Sequence, residues 1–389
     1  MKTILAAAVL AASLTSANAQ DSYKDHYRAY EAAAQAGDTD AKLASGEAAW
    51  RAAEAELGAS ETTAILAQNH LYDAMFAGED SAKGAGEVAA RALALGEQGL
   101  GLGNMTLTEL RAAHAYVHAA QKPRDDDRRD ALLAALLADR ETGRALNPMA
   151  IGLYRAGSVL AYSAKDYTDA YDYAAALTDE VRAVPEAPDT LLAEALIDEA
   201  AVLMTGRKAL PPSTLGSRLR PRRTRYVEQL ADAGVLLAEA VALGGKHTTL
   251  EAFGETHARA HAWQAVNDAL ILSEDAKVPE DHAYQGRRVS DFAAEEAHDA
   301  AFEACGVEWA KREVRYPRMG REMYRGAVFV GYHIAPDGRV EGARVLAEVP
   351  SGKFGPAVLE AMEDWRAKTE GKPEACLRDQ TVMMKFIVR

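Results

Sequence analysis

VRYPRMGREMYRGAVFVGYHIAPDGRV, residues 314–340, departs from everything that precedes it in this 389-residue chain. The earlier sequence is alanine-rich and reads as helix. Here β-branched and aromatic residues alternate about a Pro-Asp-Gly turn. Successive strand side chains point to opposite faces, so Val328, Val330, Tyr332 and Ile334 share one side of a strand over 327–334. Pro336-Asp337-Gly338 supplies turn chemistry, and Gly338 readily takes positive φ. A second strand follows through Val340 and Val345. FGPAVLEAMEDWRAK (354–368) spaces Phe354, Val358, Met362 and Trp365 along one helical face, with Pro356 suited to a first turn. In TVMMKFIVR (381–389), Val382, Met384, Phe386 and Val388 alternate once more. The expected order is β-β-α-β: a hairpin, a helix across one face, and a last strand.

Upstream, from Tyr23 to about Phe302, one amphipathic helix follows another, as in residues 46–57, 62–76, 86–100 and 107–121. Small residues at close helix contacts, with a Trp, Tyr or Leu every turn or two, suit antiparallel helical hairpins. Gly46-Glu47 followed by Ala-Ala has a counterpart forty residues later in Gly86-Glu87-Val-Ala-Ala. These segments, including the Ala-Glu-Leu-Gly helix end at Ala55 to Gly58, resemble tetratricopeptide-type repeats. The resemblance implies an α-solenoid, a scaffold whose surfaces bind proteins or peptides, and implies no chemistry. The fold class expected is α+β multidomain. An all-α, tetratricopeptide-like solenoid over 20–295 precedes a small β-β-α-β domain over 296–389.

Residues 1–19 read as a signal peptide. Lys2 gives a positive start, Ile4 to Leu14 an apolar run, and Ala17-Asn18-Ala19 a small-residue cleavage site that would leave Gln20 first. The alternative is an uncleaved anchor in the inner membrane, facing the periplasm. Spanning takes about 20 apolar residues, and this run is interrupted by Ser13, Thr15, Ser16 and Asn18. Export gives meaning to the two cysteines, Cys305 and Cys376. Oxidising compartments favour a bridge between them, worth about 4 kcal/mol for a loop of this size in the chain-entropy model. Two unrelated buried thiols are the other possibility.

The formal charge of −14 argues against nonspecific nucleic-acid binding, which needs a basic surface. Residues 206–226 run against the overall charge, with Arg207, Lys208, Arg218, Arg220, Arg222, Arg223 and Arg225 and no acid among them. They read either as a linker between helical halves or as a contact for an anionic partner. KPRDDDRRD (122–130) reads as a solvated loop whose aspartates cap the next helix. Little points to catalysis. His257 and His261 stand at i and i+4 but lack the glutamate of H-E-x-x-H and a third ligand. GLGLG (99–103) follows a helix and not a strand, and GGKH (244–247) lacks the rest of a phosphate loop. No catalytic, cofactor or metal residue is assigned, and no enzyme is expected.

The C-terminal segment resembles the C-terminal domain of the TonB energy-transducer family. The matching features are Tyr316-Pro317, Gly326 opening the first strand, Asp337-Gly338 with Val340, and Ser351-Gly352. A helix ending in Trp365 and the closing Val382-x-x-x-Phe386-x-Val388 strand complete them. Related exported members place a cysteine on each side of the domain, as Cys305 and Cys376 do here. The resemblance implies binding of an outer-membrane receptor's peptide by β-strand addition, involving Tyr316, Pro317 and the last strand. That strand runs through Thr381, Val382, Met383, Met384, Lys385, Phe386, Ile387 and Val388. The implied partners are TonB-dependent outer-membrane receptors or other periplasmic proteins, and an inner-membrane ExbB/ExbD-type motor if the N-terminus stays uncleaved. The same edge could instead form a homodimer or pack on the solenoid. The chain departs from the family in its cleavable-looking signal and in having helices where a Pro-rich spacer belongs. Arg318-Met319-Gly320 and Tyr324 also replace small residues. The expectation is a non-catalytic periplasmic protein working in or beside TonB-dependent transport. The alternative is a helical-repeat scaffold that uses the small domain for docking or dimerisation.

Overall fold

A computed structural model describes residues 22–141, 146–205, 222–244, 250–273, 278–279, 282–284, 307–311, 314, 326–349, 352–378 and 380–386. The signal segment 1–19 lies outside these residues. The chain divides into two compact units, residues 1–142 and 143–389.

The first unit is helical: α1 (Tyr23–Ala36), α2 (Thr39–Leu57), α3 (Glu61–Phe76), α4 (Glu79–Gly84), α5 (Gly86–Glu97), α6 (Leu107–Gln121) and α7 (Asp126–Glu141). Helix starts follow from side chains that accept the first free N–H groups. Asp38 accepts from Ala41, Ser60 from Thr63, and Thr106 forms a reciprocal capping box with Glu109. Each such cap contributes about 1 kcal/mol. Successive helices pack through alanines with almost no accessible surface, among them Ala53, Ala64, Ala67, Ala89 and Ala92, while Trp50, Leu71, Leu95 and Leu110 supply bulk. The forty-residue echo has a structural counterpart. Arg51 of α2 pairs with Glu87 of α5 at 2.7 Å, and Arg91 of α5 pairs back with Glu54 of α2 at 2.5 Å. Such half-exposed pairs stabilise weakly and serve mainly to fix which helix neighbours which.

Most of 122–130 is open to solvent as expected, but residues 126–130 already belong to α7 and Arg129 is withdrawn from solvent. Arg129 is 1% exposed, and its guanidinium donates to the Pro123 carbonyl at 2.6 Å and to Asp126 at 2.7 Å. Arg128 reaches the His118 carbonyl at 2.7 Å. A buried guanidinium is tolerated because its donors are met, and the two arginines pin the turn between α6 and α7.

The second unit opens with α8 (Pro148–Ser163), α9 (Tyr167–Ala183), α10 (Asp189–Thr205), α11 (Arg222–Gly244) and α12 (Leu250–Ser273). Asn147 caps α8, with Pro148 at its first position. Gly157 lets α8 and α9 meet closely: a Cβ there would lie 2.5 Å from Tyr173 Cε1. α12 kinks at Gly254, whose φ of 65° is open to glycine. Of the basic segment, Arg222, Arg223 and Arg225 belong to the helical backbone of α11; residues 206–221 lie outside the described residues. Tyr226 is buried, and its hydroxyl donates to the Met204 carbonyl at 3.1 Å, tying α11 to the end of α10.

A small antiparallel sheet region completes this unit: β1 (Glu308–Ala310), β2 (Gly326–Ile334), β3 (Val340–Val349), α13 (Gly355–Glu363), β4 (Arg366–Lys368) and β5 (Gln380–Phe386). A three-stranded sheet has the order β3-β2-β5, and β1 pairs with β4 in a separate two-stranded ladder. The β-β-α-β order is present, with two differences. The helix stops at Glu363, two residues short of Trp365, and Arg366–Lys368 turn into a strand that pairs with β1. No helix among the described residues is long and apolar enough to cross a membrane.

Candidate functional site

The alternation along β2 sorts its side chains as expected. Val328, Val330, Tyr332 and Ile334 face α13 and share a core with Phe354, Val358, Met362, Trp365 and Phe386. Phe354 and Phe386 stack at 4.3 Å, closing the helix over the sheet. The other face of β2 is covered as well. Ala327 and Phe329, with Ala347 and Val349 of β3, belong to the core built by α10, α11 and α12. Both faces of the central strand are therefore buried, a condition usual for sheets layered between helices.

His257 and His261 find their place at this seam. Their rings meet edge to face at 4.6 Å, and His261 lies over Phe329 at 6.0 Å with an interplanar angle of 20°. The pair packs the sheet against α12. Among the described residues no group of three or more His, Cys, Asp or Glu side chains could hold a metal ion.

The strand expected to bind a partner is β5. It runs in unbroken antiparallel register with β2, from Gly326 opposite Phe386 to Tyr332 opposite Gln380. Val382, Met384 and Phe386 join the α13 side, whereas Met383 joins the α12 side. Thr381 and Lys385 share the parity of Met383. By contrast, β3 slips register between Phe329 and Val330 and again between Gly331 and His333. Such irregularities bend and twist a marginal strand and make it a poor template for another. Tyr316, Pro317, Ile387 and Val388 lie outside the described residues. Cys376 is buried and disulfide-bonded, and Cys305, the other cysteine, lies outside them.

Several residues that organise this region were not singled out in the sequence. Glu348 on β3 accepts from four backbone N–H groups at the start of α13: Gly352 at 2.9 Å, Lys353 at 2.5 Å, Phe354, and Gly355 at 2.9 Å. Phe354, at the cap position, offers no side-chain acceptor, so the strand caps the helix. Trp309 of β1 meets Trp365 at 5.7 Å and Tyr332 at 6.0 Å, both edge to face. The Lys311 ammonium stands over both indoles, 5.4 Å and 4.8 Å from their centroids. The signal available was a tryptophan and a lysine two residues apart, which no periodicity marks as a site. At the hairpin turn, Gly338 has φ +83°, and a Cβ there would lie 2.0 Å from the Ala367 carbonyl oxygen. Asp337 accepts from the Arg339 backbone N–H at 3.1 Å and from its guanidinium at 2.7 Å, which holds the carboxyl below the usual range.

No family model, no curated protein and no solved structure matches this chain.

Proposed function

We propose that this chain is a non-catalytic periplasmic binding protein of TonB type, acting in or beside TonB-dependent transport across the outer membrane. In this reading the small sheet takes an extended receptor segment by strand addition on its β5 side. The observation that carries it is the covering of both faces of β2 by the chain's own helices, with β5 in unbroken register at one end of the strand order. A partner would meet such a sheet through main-chain hydrogen bonds at its margin, which is how strand addition works.

The test is a calorimetric titration of the full chain with N-terminal peptides of TonB-dependent receptors. Binding is expected in the wild type and in Lys385→Ala, since main-chain bonding tolerates side-chain loss. Met383→Pro or Lys385→Pro removes a backbone donor and should abolish it, with circular dichroism reporting that the chain remains folded. A folded wild type that binds none of these peptides would remove the transport reading.

A second reading has its own support. The sheet shares one core with α10–α12, so it is built into the helical unit as a fixed module. A helical-repeat scaffold that uses this module for docking or dimerisation would have that construction. Sedimentation of the full chain, with and without Met383→Pro, separates the readings: a dimer lost on substitution favours the scaffold.

A further inference from the structure

The helices of the second unit enclose a site of a different kind, and its assignment does not depend on the function proposed above. A cavity of about 380 Å³ lies between α8, α9, α10 and α12. Its walls include Ala174, Leu177, Ala201, Val202 and Trp263. At its mouth Val159 is 63% exposed and Tyr162 is 42% exposed. Large apolar side chains this open, ringing an apolar cavity, are what a ligand site leaves uncovered.

One end of the cavity is polar. Arg155 Nε donates to Asp198 Oδ2 at 3.0 Å and its Nη2 to Glu194 Oε2 at 2.6 Å. Arg259 stands 3.7 Å from Asp198 Oδ1, and the Thr256 hydroxyl donates to Glu194 Oε1 at 3.1 Å. Three of the four carboxylate oxygens accept a hydrogen bond, Asp198 Oδ1 has only the more distant Arg259, and two arginines balance two acids. No acceptor among the described residues meets Arg155 Nη1. The cavity offers a hydrogen-bond donor without a net charge.

We propose that this cavity binds a neutral amphiphile, a small molecule with an apolar body and one carbonyl or hydroxyl oxygen that accepts from Arg155 Nη1. The volume falls in the roughly 300–1,000 Å³ range of small-ligand sites. A cationic ligand would compete with Arg155 and Arg259, which already pair with both carboxylates. An anionic one would place a third negative charge beside Asp198 and Glu194 in a half-buried setting, where unmatched charge is costly.

The full chain is titrated with N-phenyl-1-naphthylamine, a neutral apolar fluorophore, and the complex is then displaced with 1-decanol or decanoate. Saturable one-to-one binding is expected, with part of the emission sensitised by Trp263 and lost in Trp263→Phe. Decanol should displace the probe at a concentration at least tenfold below decanoate. Ala201→Trp fills the cavity and should abolish binding. Val159→Asp, at an exposed position that leaves the fold intact, should weaken it at least fivefold. A probe that does not saturate, a Val159→Asp chain that binds as the wild type does, or decanoate displacing as well as decanol would each overturn the proposal.

Discussion

Replacing Glu348 tests the claim that a β3 side chain caps α13. Its carboxylate serves four backbone N–H groups, of which those of Gly352 and Lys353 can turn to water when it is removed. Those of Phe354 and Gly355 lie in partly buried surroundings and cannot be solvated as well. A hydrogen bond to a charged group is worth about 1.5–3 kcal/mol, and losing a helix cap costs about 0.5–2 kcal/mol. Counting the two partly buried donors as one shared loss, Glu348→Ala should destabilise the α13 end of the sheet by about 2–3 kcal/mol. Glu348→Gln keeps one acceptor oxygen and should cost about half as much, roughly 1–1.5 kcal/mol. Because the chain has two compact units, a single unfolding midpoint would blur this local effect. Hydrogen–deuterium exchange of the 352–363 peptide reports it directly, as a drop in local protection. Unchanged protection in Glu348→Ala would show that water or the backbone replaces the carboxylate, and the capping account would fail.

Arg155→Met strands Asp198, whose carboxyl burial already pushes up against the opposing pull of Arg155 and Arg259. With 35% of the side chain still accessible, the expected loss at neutral pH is about 1–2 kcal/mol, well below that of a fully buried pair. A raised folded-state pKa means the folded chain holds the proton more tightly. The loss should therefore shrink as pH falls through the raised Asp198 pKa, and urea titrations of the wild type and variant across that window check the sign. Gly157→Ala presses a methyl into the Tyr173 ring and should cost about 1–3 kcal/mol in the same urea assay. Charge reversal in Arg51→Glu should cost little in stability, and the partner change Glu87→Arg should restore it in a double-mutant cycle.

The hairpin, its turn, the helix face and β5 were legible because each carries a strong local period: Val328-Val330-Tyr332, Phe354-Val358-Met362, Val382-Met384-Phe386. The end of α13 was not, because Trp365 continues the helical spacing although the chain has already turned at Asp364. Its indole reaches the same core from the residue just before β4. β1 is three residues long, too short for any period to show. The second face of β2 was not legible, since Ala327 and Phe329 alternate with the Val-Val-Tyr-Ile face without a strong apolar period of their own. They pack on α12, which is distant in sequence, and only the folded chain shows it. The histidine pair on α12 carries only an i, i+4 spacing, which gives no hint of the contact between His261 and Phe329. Arg129 looked solvated because charged residues usually are, and the carbonyl of Pro123 that receives it carries no sequence signature.

The seam between β2 and α12 also has a mechanical meaning. A pull along β5 would act parallel to the β2–β5 ladder, so its cross-strand bonds would resist together in shear and not open one by one. β2 in turn is gripped on both sides, by α13 through Val328 and Val330 and by α12 through Phe329. Load entering at the last strand would thus spread into the helical unit through a broad apolar contact, bypassing the connection between α12 and β1. Anything attached at that strand would be coupled to α10, α11 and α12 through that shared core.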